Sequence, residues 1–407
     1  MTGLARRPEV DWRAALAAIV GAHAGVTLLL RLPSVLAPVL IMDHGWTATL
    51  VGAVTGLATG LSVLLMMSGA GVVRALGSKR ALQAGLLSGI VALALLALQS
   101  PLLAIMAAIF IGMAHAPMHP AGNDLLERYA APGRRSIVFS VKQSGPSFGG
   151  IVAGLMLPML AAAGGTELAL GGAAALLLSA LILCSVLVRD ENGVHRSSSG
   201  WREAFSRRSI VGPLRTVVAD AALRRMALLG ATLSLVSSVW MAYLPIYLSL
   251  HVGMDVALAG VGFALFQAGA FSGRILLGWV ADRFLPPRAI ISLAMLGSAV
   301  LTAALPLLAT LGFSTALLAL ALPAGIFTAG WSGVQLAEAV RVAGRERLVD
   351  AISGLMVITG LGVVGGPFAF LLIVAGAGNW SGGFVILSVL PAAALILKLL
   401  TEGVHRT

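Results

Sequence analysis

Twelve apolar runs, each long enough to cross a bilayer as a helix, account for most of this chain. They fall near 14–38, 48–72, 80–99, 101–124, 136–163, 168–188, 226–250, 256–280, 288–309, 312–334, 350–376 and 381–401. A helix needs about 20 apolar residues to span a hydrocarbon core of about 30 Å. The runs are continuous rather than alternating, which predicts helices and not a strand barrel. Only 11% of the residues are charged, so the expectation is an all-α membrane protein.

Basic residues give the topology. All 27 lysines and arginines except Arg31, Lys142 and Arg274 fall on one side of the membrane that these runs define. That side carries Arg74, Lys79 and Arg80; Arg128, Arg134 and Arg135; Arg283 and Arg288; and Arg341, Arg345 and Arg347. The opposite loops hold Asp43, Glu167 and Asp255 and no lysine or arginine. Basic loops collect in the cytoplasm, so both termini are expected there, in a multi-pass protein of a bacterial cytoplasmic (inner) membrane. The net charge of +11 then reflects basic loops near anionic headgroups, and nucleic acid is not an expected partner. The lone cysteine, Cys184, permits no internal disulfide. No cleavable signal is expected, since Arg6, Arg7 and Arg13 precede the first run without a small-residue cleavage pattern.

The longest polar stretch, 189–225, divides the chain into two six-helix halves, 1–188 and 226–407. Within it Trp201, Ala204 and Phe205 alternate with Arg202, Arg207 and Arg208, a pattern that fits a short surface helix or a plain linker. The halves echo each other. The fifth run contains Gly145-Pro146-Ser147-Phe148-Gly149-Gly150 and the eleventh contains Gly362-Val363-Val364-Gly365-Gly366-Pro367. Kinked helices at matching places in two repeats point to a transporter with its site between them.

The segment Gly278-Trp279-Val280-Ala281-Asp282-Arg283-Phe284 resembles the loop signature of the major facilitator superfamily. In its first-half counterpart, Arg74-Ala75-Leu76-Gly77-Ser78-Lys79-Arg80, Arg74 stands where the signature has its Asp. The resemblance implies two pseudo-symmetric six-helix bundles around a cavity. Helices 1, 4, 7 and 10 and parts of 2, 5, 8 and 11 would line it, and helices 3, 6, 9 and 12 would form scaffold. Gly278, Asp282 and Arg283 would be gate residues.

A charge within the bilayer costs about 2.5–3.5 kcal/mol on insertion scales, so Arg31, Lys142 and Arg274 are the first site candidates. His23, Thr27 and Arg31 share a helix face. Arg31, just before Pro33, either snorkels to headgroups or faces a cavity. Gln267, Phe271 and Arg274 share a face of the eighth run. This resembles monocarboxylate and oxalate–formate transporters, where the arginine pairs with a carboxylate; bracing the gate near Asp282 is the other role. Lys142 precedes Gln143 and Ser144 at the kink, and it either snorkels or serves the cavity. Gly-Pro-x-x-Gly-Gly also resembles half of a drug-exporter motif, whose front glycine is replaced by Val141.

His115, His119 and Asn123 share a face of the fourth run, interrupted by Pro117 and Pro120. His at i and i+4 suits a metal only with a third ligand, and spacing supplies none, so no metal or other cofactor is expected. Both histidines are candidates for proton coupling. Trp240, Tyr243, Tyr247, Trp331 and Gln335 are either pocket-lining or interfacial. No mid-membrane Asp or Glu is evident; Asp124 and Glu338 sit at helix ends. Three unpartnered cations favour an anionic cargo. The expected function is therefore secondary transport of a small organic anion, a carboxylate, by proton symport or anion exchange. The candidate binding residues are Arg31, Lys142, Arg274, Gln267, His119, Tyr243, Trp331 and Gln335, and a monomer suffices. A proton-coupled drug or metabolite exporter is the alternative, with a transporter-like sensor more distant.

Overall fold

The computed structural model describes residues 12–67, 69–129, 135–188 and 207–404, and every regular element among them is helical. In chain order these are α1 (Trp12–Val35), α2 (Ala37–His44), α3 (Ala48–Met67), α4 (Gly69–Leu76), α5 (Ser78–Ala97), α6 (Pro101–His115), α7 (Met118–Tyr129) and α8 (Arg135–Leu187). They are followed by α9 (Arg207–Ala219), α10 (Ala221–Ile246), α11 (Val256–Arg283), α12 (Pro287–Thr310), α13 (Ser314–Ala329), α14 (Ser332–Ala377) and α15 (Trp380–Val404). A π-helical turn, Tyr247–His251, extends α10.

Among the described residues, eleven helices are long and apolar enough to cross a membrane. One of them, Ser144–Leu187, has 44 residues, and at about 1.5 Å per residue it is about twice the thickness of a hydrocarbon core. It bends sharply at Gly164 and Gly165, where Gly165 takes φ +74°, a conformation that a side chain would strain. The bend makes two crossings of it, and the twelve runs seen in the sequence are recovered. Several runs are divided by proline. Pro38 opens α2, and the fourth run breaks between α6 and α7 at Ala116-Pro117. In each case the missing N–H or the ring clash interrupts the ladder.

Small residues set the packing. Gly149 of α8 lies against the backbone of Ala24 in α1, and Gly362 of α14 lies in the same way against Ala231 of α10. The two glycine-rich kinked segments thus dock on equivalent helices of their own halves. Without a Cβ, two backbones approach closely enough to replace the hydrophobic effect that lipid removes. α5 packs on the second arm of α8, with Gln83 bonded to Ser185 at 2.9 Å, and α12 packs on α15, with Lys398 bonded to Ser292 at 2.8 Å. Outward-facing leucines such as Leu87, Leu183, Leu397 and Leu400 are exposed, as a lipid-facing surface requires.

Between the halves, α3 meets α14 and the first arm of α8 meets α11. Gly56 faces Phe368, Gly60 faces Val364, and Gly154 faces Gly260 and Ala264. These contacts lie toward the end that carries Asp43, Glu167 and Asp255.

The stretch 189–225 is not a loop throughout. Residues 207–219 of it form α9, seated against α14 by Pro213 on Gly354 and by Val217 beside Ala343, Ala351 and Leu355, and α10 begins within it at Ala221. The surface helix suggested around Trp201, Ala204 and Phe205 lies outside the described residues. Arg341, Arg345 and Arg347, read as loop residues, belong to the helical run of α14.

Candidate functional site

Lys142 is fully buried, which excludes snorkelling to a headgroup. The first arm of α8 carries it to α7, where its Nζ donates to Asn123 Oδ1 at 2.8 Å and to the His119 carbonyl at 3.3 Å. His119 Nδ1 lies 3.5 Å away. All of these partners are neutral dipoles, so they solvate the ammonium without cancelling its charge.

The structure adds a third histidine to the pair on the fourth run. His23 of α1 is fully buried, with its ring 4.3 Å from that of His119 and 5.6 Å from that of His115. One ring nitrogen from each histidine lies within 4.8 Å of the others. Ser62 of α3 bonds His115 Nδ1 at 2.7 Å. Such a trio has the donor set for a transition metal, which corrects the expectation that no third ligand exists. The surrounding charge opposes a metal. A divalent ion about 6 Å from a single ammonium is disfavoured by about 5 kcal/mol at an effective dielectric of about 20, and Arg31 and Arg274 add to this.

Arg31 also faces the interior. Its Nε is buried without a partner, and its charge acts on Arg274 and His115. Arg274 of α11 keeps exposed surface, yet it reaches across to the other half and donates to Ser147 Oγ of α8 at 3.2 Å. Ser147 is itself buried, so Arg274 opens onto the seam between halves and not onto lipid. Gln267, two turns earlier on α11, packs on Gly150 and leaves its Oε1 unpartnered.

Among the described residues, seven buried side-chain nitrogen or oxygen atoms lack a hydrogen-bond partner. Five of them belong to His23, with two, and to Thr27, Arg31 and Gln267. Each orphan costs about 1–3 kcal/mol, so their concentration around three cations marks a place that something else completes. None of Arg31, Lys142 and Arg274 forms a salt bridge among the described residues. His23 escaped sequence reasoning as a member of this cluster, because only the docking of α1 on α7 and α8 brings it there.

The structure does not bring every candidate to this place. Tyr243 is buried among Phe370 and Trp380, and its hydroxyl donates to the Pro367 carbonyl at 3.1 Å. Tyr247, offered as interfacial, is also buried and bonds Ser381 at 3.0 Å. Trp331 donates to the Thr328 carbonyl at 2.7 Å within a core of Leu233, Leu277 and Met295. Gln335 donates to the Met226 carbonyl at 2.7 Å. These four side chains brace helices against one another.

At the basic end, Asp282 and Arg283 are exposed, with Arg283 over the Trp279 ring, and no ion pair joins Asp282 to Arg274. The charge contact there is one the sequence did not suggest. Glu338 of α14, nearly buried, takes Arg341 Nε at 2.8 Å and lies 3.6 Å from Arg288 of α12. In the first-half loop, the Ser78 hydroxyl donates to the Asp124 carboxylate.

Helices that cross a membrane in two halves around a buried polar cluster define the class of membrane transporters. The Major Facilitator Superfamily profile matches residues 16–337, and the chain belongs to that family. No curated protein sequence matches it significantly. Solved structures share the fold at low identity. A bacterial homologue of the human lysosomal transporter Spinster, inward-facing and occupied, has TM-score 0.74 at 16% identity, covering 97% of each chain. The peptide transporter POT in complex with sulfate has TM-score 0.77 at 14% identity, covering 100% of this chain and 96% of that one. A point mutant of the nucleoside transporter NupG has TM-score 0.75 at 14% identity, covering 95% of this chain and 99% of that one.

Proposed function

We propose that this protein is a secondary transporter for a small organic anion of the carboxylate class, bound among Arg31, Lys142 and Arg274. The observation that carries this reading is three cations and five orphaned polar atoms in one interior region, with no carboxylate paired to any of the cations. A buried charge without a counter-ion is costly, and a bound anion supplies what is missing. Arg274 suits a carboxylate because a guanidinium offers planar paired donors to two oxygens, and its contact with Ser147 leaves donors free. Gln267 and His119 would complete the polar lining.

Transport proceeds by alternating access, with the halves 1–188 and 226–407 rocking about the seam. In this reading the basic end faces the cytoplasm of a bacterial cell. Export of a cationic drug would call for a buried carboxylate in the cluster, and the described residues provide none.

Uptake into proteoliposomes of labelled pyruvate, benzoate and oxalate, set against cationic dyes, tests the reading. Saturable movement of an acid, lost in Arg274→Gln, is expected. Movement of the dyes with no movement of any acid overturns it.

A further inference from the structure

We propose that His23, His115 and His119 form a proton site that fills when an anion occupies the neighbouring cationic region. The inference rests on the anion reading above and adds a second cargo, the proton, with its own residues.

Geometry supplies the first argument. The three imidazoles come from α1, α6 and α7, and their nearest nitrogens lie within 4.8 Å of one another. His115 is held by Ser62, and His119 is approached by Lys142. His23 has neither a donor nor an acceptor satisfied on either nitrogen, although it is fully buried. A neutral imidazole carries one N–H and one lone pair. A proton held between two such rings converts two facing lone pairs into one N–H···N bond, and this gives the orphaned ring a partner. The proton comes from a hydronium ion of the surrounding water, whose O–H bond breaks as the imidazole N–H bond forms, and a water molecule is left behind.

Charge supplies the condition. The groups that face the trio are Lys142 from α8, Arg31 from α1 and Arg274 from α11, with the neutral Asn123 of α7 and Ser62 of α3. The nearest carboxylate along α7, that of Asp124, is engaged by Ser78. With the site empty, three positive charges repel a fourth. An anion placed among them attracts the incoming proton and so offsets part of that repulsion. Opposite unit charges about 6 Å apart at an effective dielectric of about 20 change each other's affinity by about 100-fold. Coupling of this kind is reciprocal: the anion draws in the proton, and a lower pH tightens the anion. The two then cross together.

The test uses the purified full chain in detergent, with calorimetric titrations of pyruvate, benzoate and oxalate. Above about pH 6 all three are ionised, so their own titration does not intrude. For the acid that binds, the expected result is a Kd that weakens with rising pH, by up to about tenfold per unit between the proton affinities of the empty and the anion-bound trio and by about 100-fold in all. One proton is taken up per anion, measured from the dependence of the heat on buffer ionisation. His23→Gln and His115→Gln should each flatten the slope and remove the proton uptake, whereas Asp124→Asn should keep both. Binding with a flat pH profile and no proton uptake overturns the inference and leaves the anion reading standing. So does a slope that survives in both histidine variants or disappears in Asp124→Asn. Failure of every acid to bind at any pH overturns both.

Discussion

Replacing Arg274 by lysine separates charge from geometry at the proposed site. Arg274 uses one terminal nitrogen on Ser147, 3.2 Å away, and its remaining donors are free to meet a carboxylate. Lysine keeps the charge, but it cannot hold Ser147 and present a second, coplanar donor at once. The loss is one charge-assisted hydrogen bond, about 1.5–3 kcal/mol, which is about 10- to 150-fold in Kd. Arg274→Gln removes the attraction as well, and should cost at least as much. Neither change should disturb folding, because the side chain keeps exposed surface and makes a single hydrogen bond. Titration calorimetry with the acid that binds the parent gives Kd, and a thermal melt checks the fold. If both variants bind that acid as the parent does, Arg274 is a brace between α8 and α11 and the site assignment fails.

Lys142→Met should abolish the rise in melting temperature that a bound acid produces by mass action, while the apo protein still folds; an undiminished rise would place Lys142 outside the site. Gly154→Leu should block transport while leaving the protein in the membrane, since any side chain there collides with Gly260 and Ala264 across the seam; wild-type uptake would show that the seam does not close in this way. Reporter fusions at 45, 165 and 255 should read outside, and one at 200 inside; the reverse pattern would invert the topology.

The twelve crossings were legible because a bilayer imposes a length, and each run meets it whatever its neighbours do. The cations were legible for a related reason: a lysine or arginine in an apolar run is expensive and stands out. Lys142 and Arg31 were read as snorkelling or cavity-facing, and only the packing of α8 on α1 and α7 decides between these. His23 was visible as a polar residue on the face that carries Arg31, but its meeting with His115 and His119 is a tertiary contact with no local signature. Trp331, Gln335 and Tyr243 look like pocket residues by type. Each instead reaches a backbone carbonyl, of Thr328, Met226 and Pro367 respectively, and residue type alone cannot foretell that. α9 was hidden by its arginines, since the apolar side that seats it on α14 is short.

The contact of Gly154 with Gly260 has a mechanical consequence. Two smooth backbones meet there, with no teeth to disengage. Parting an interface of interlocked leucines would cost about 0.8 kcal/mol for every methylene exposed to water, and that penalty would recur in each cycle. A toothless joint holds little in reserve when shut and loses little when opened. The closed and open forms can then lie near one another in free energy, and the presence of cargo, more than the strength of the joint, sets which form prevails.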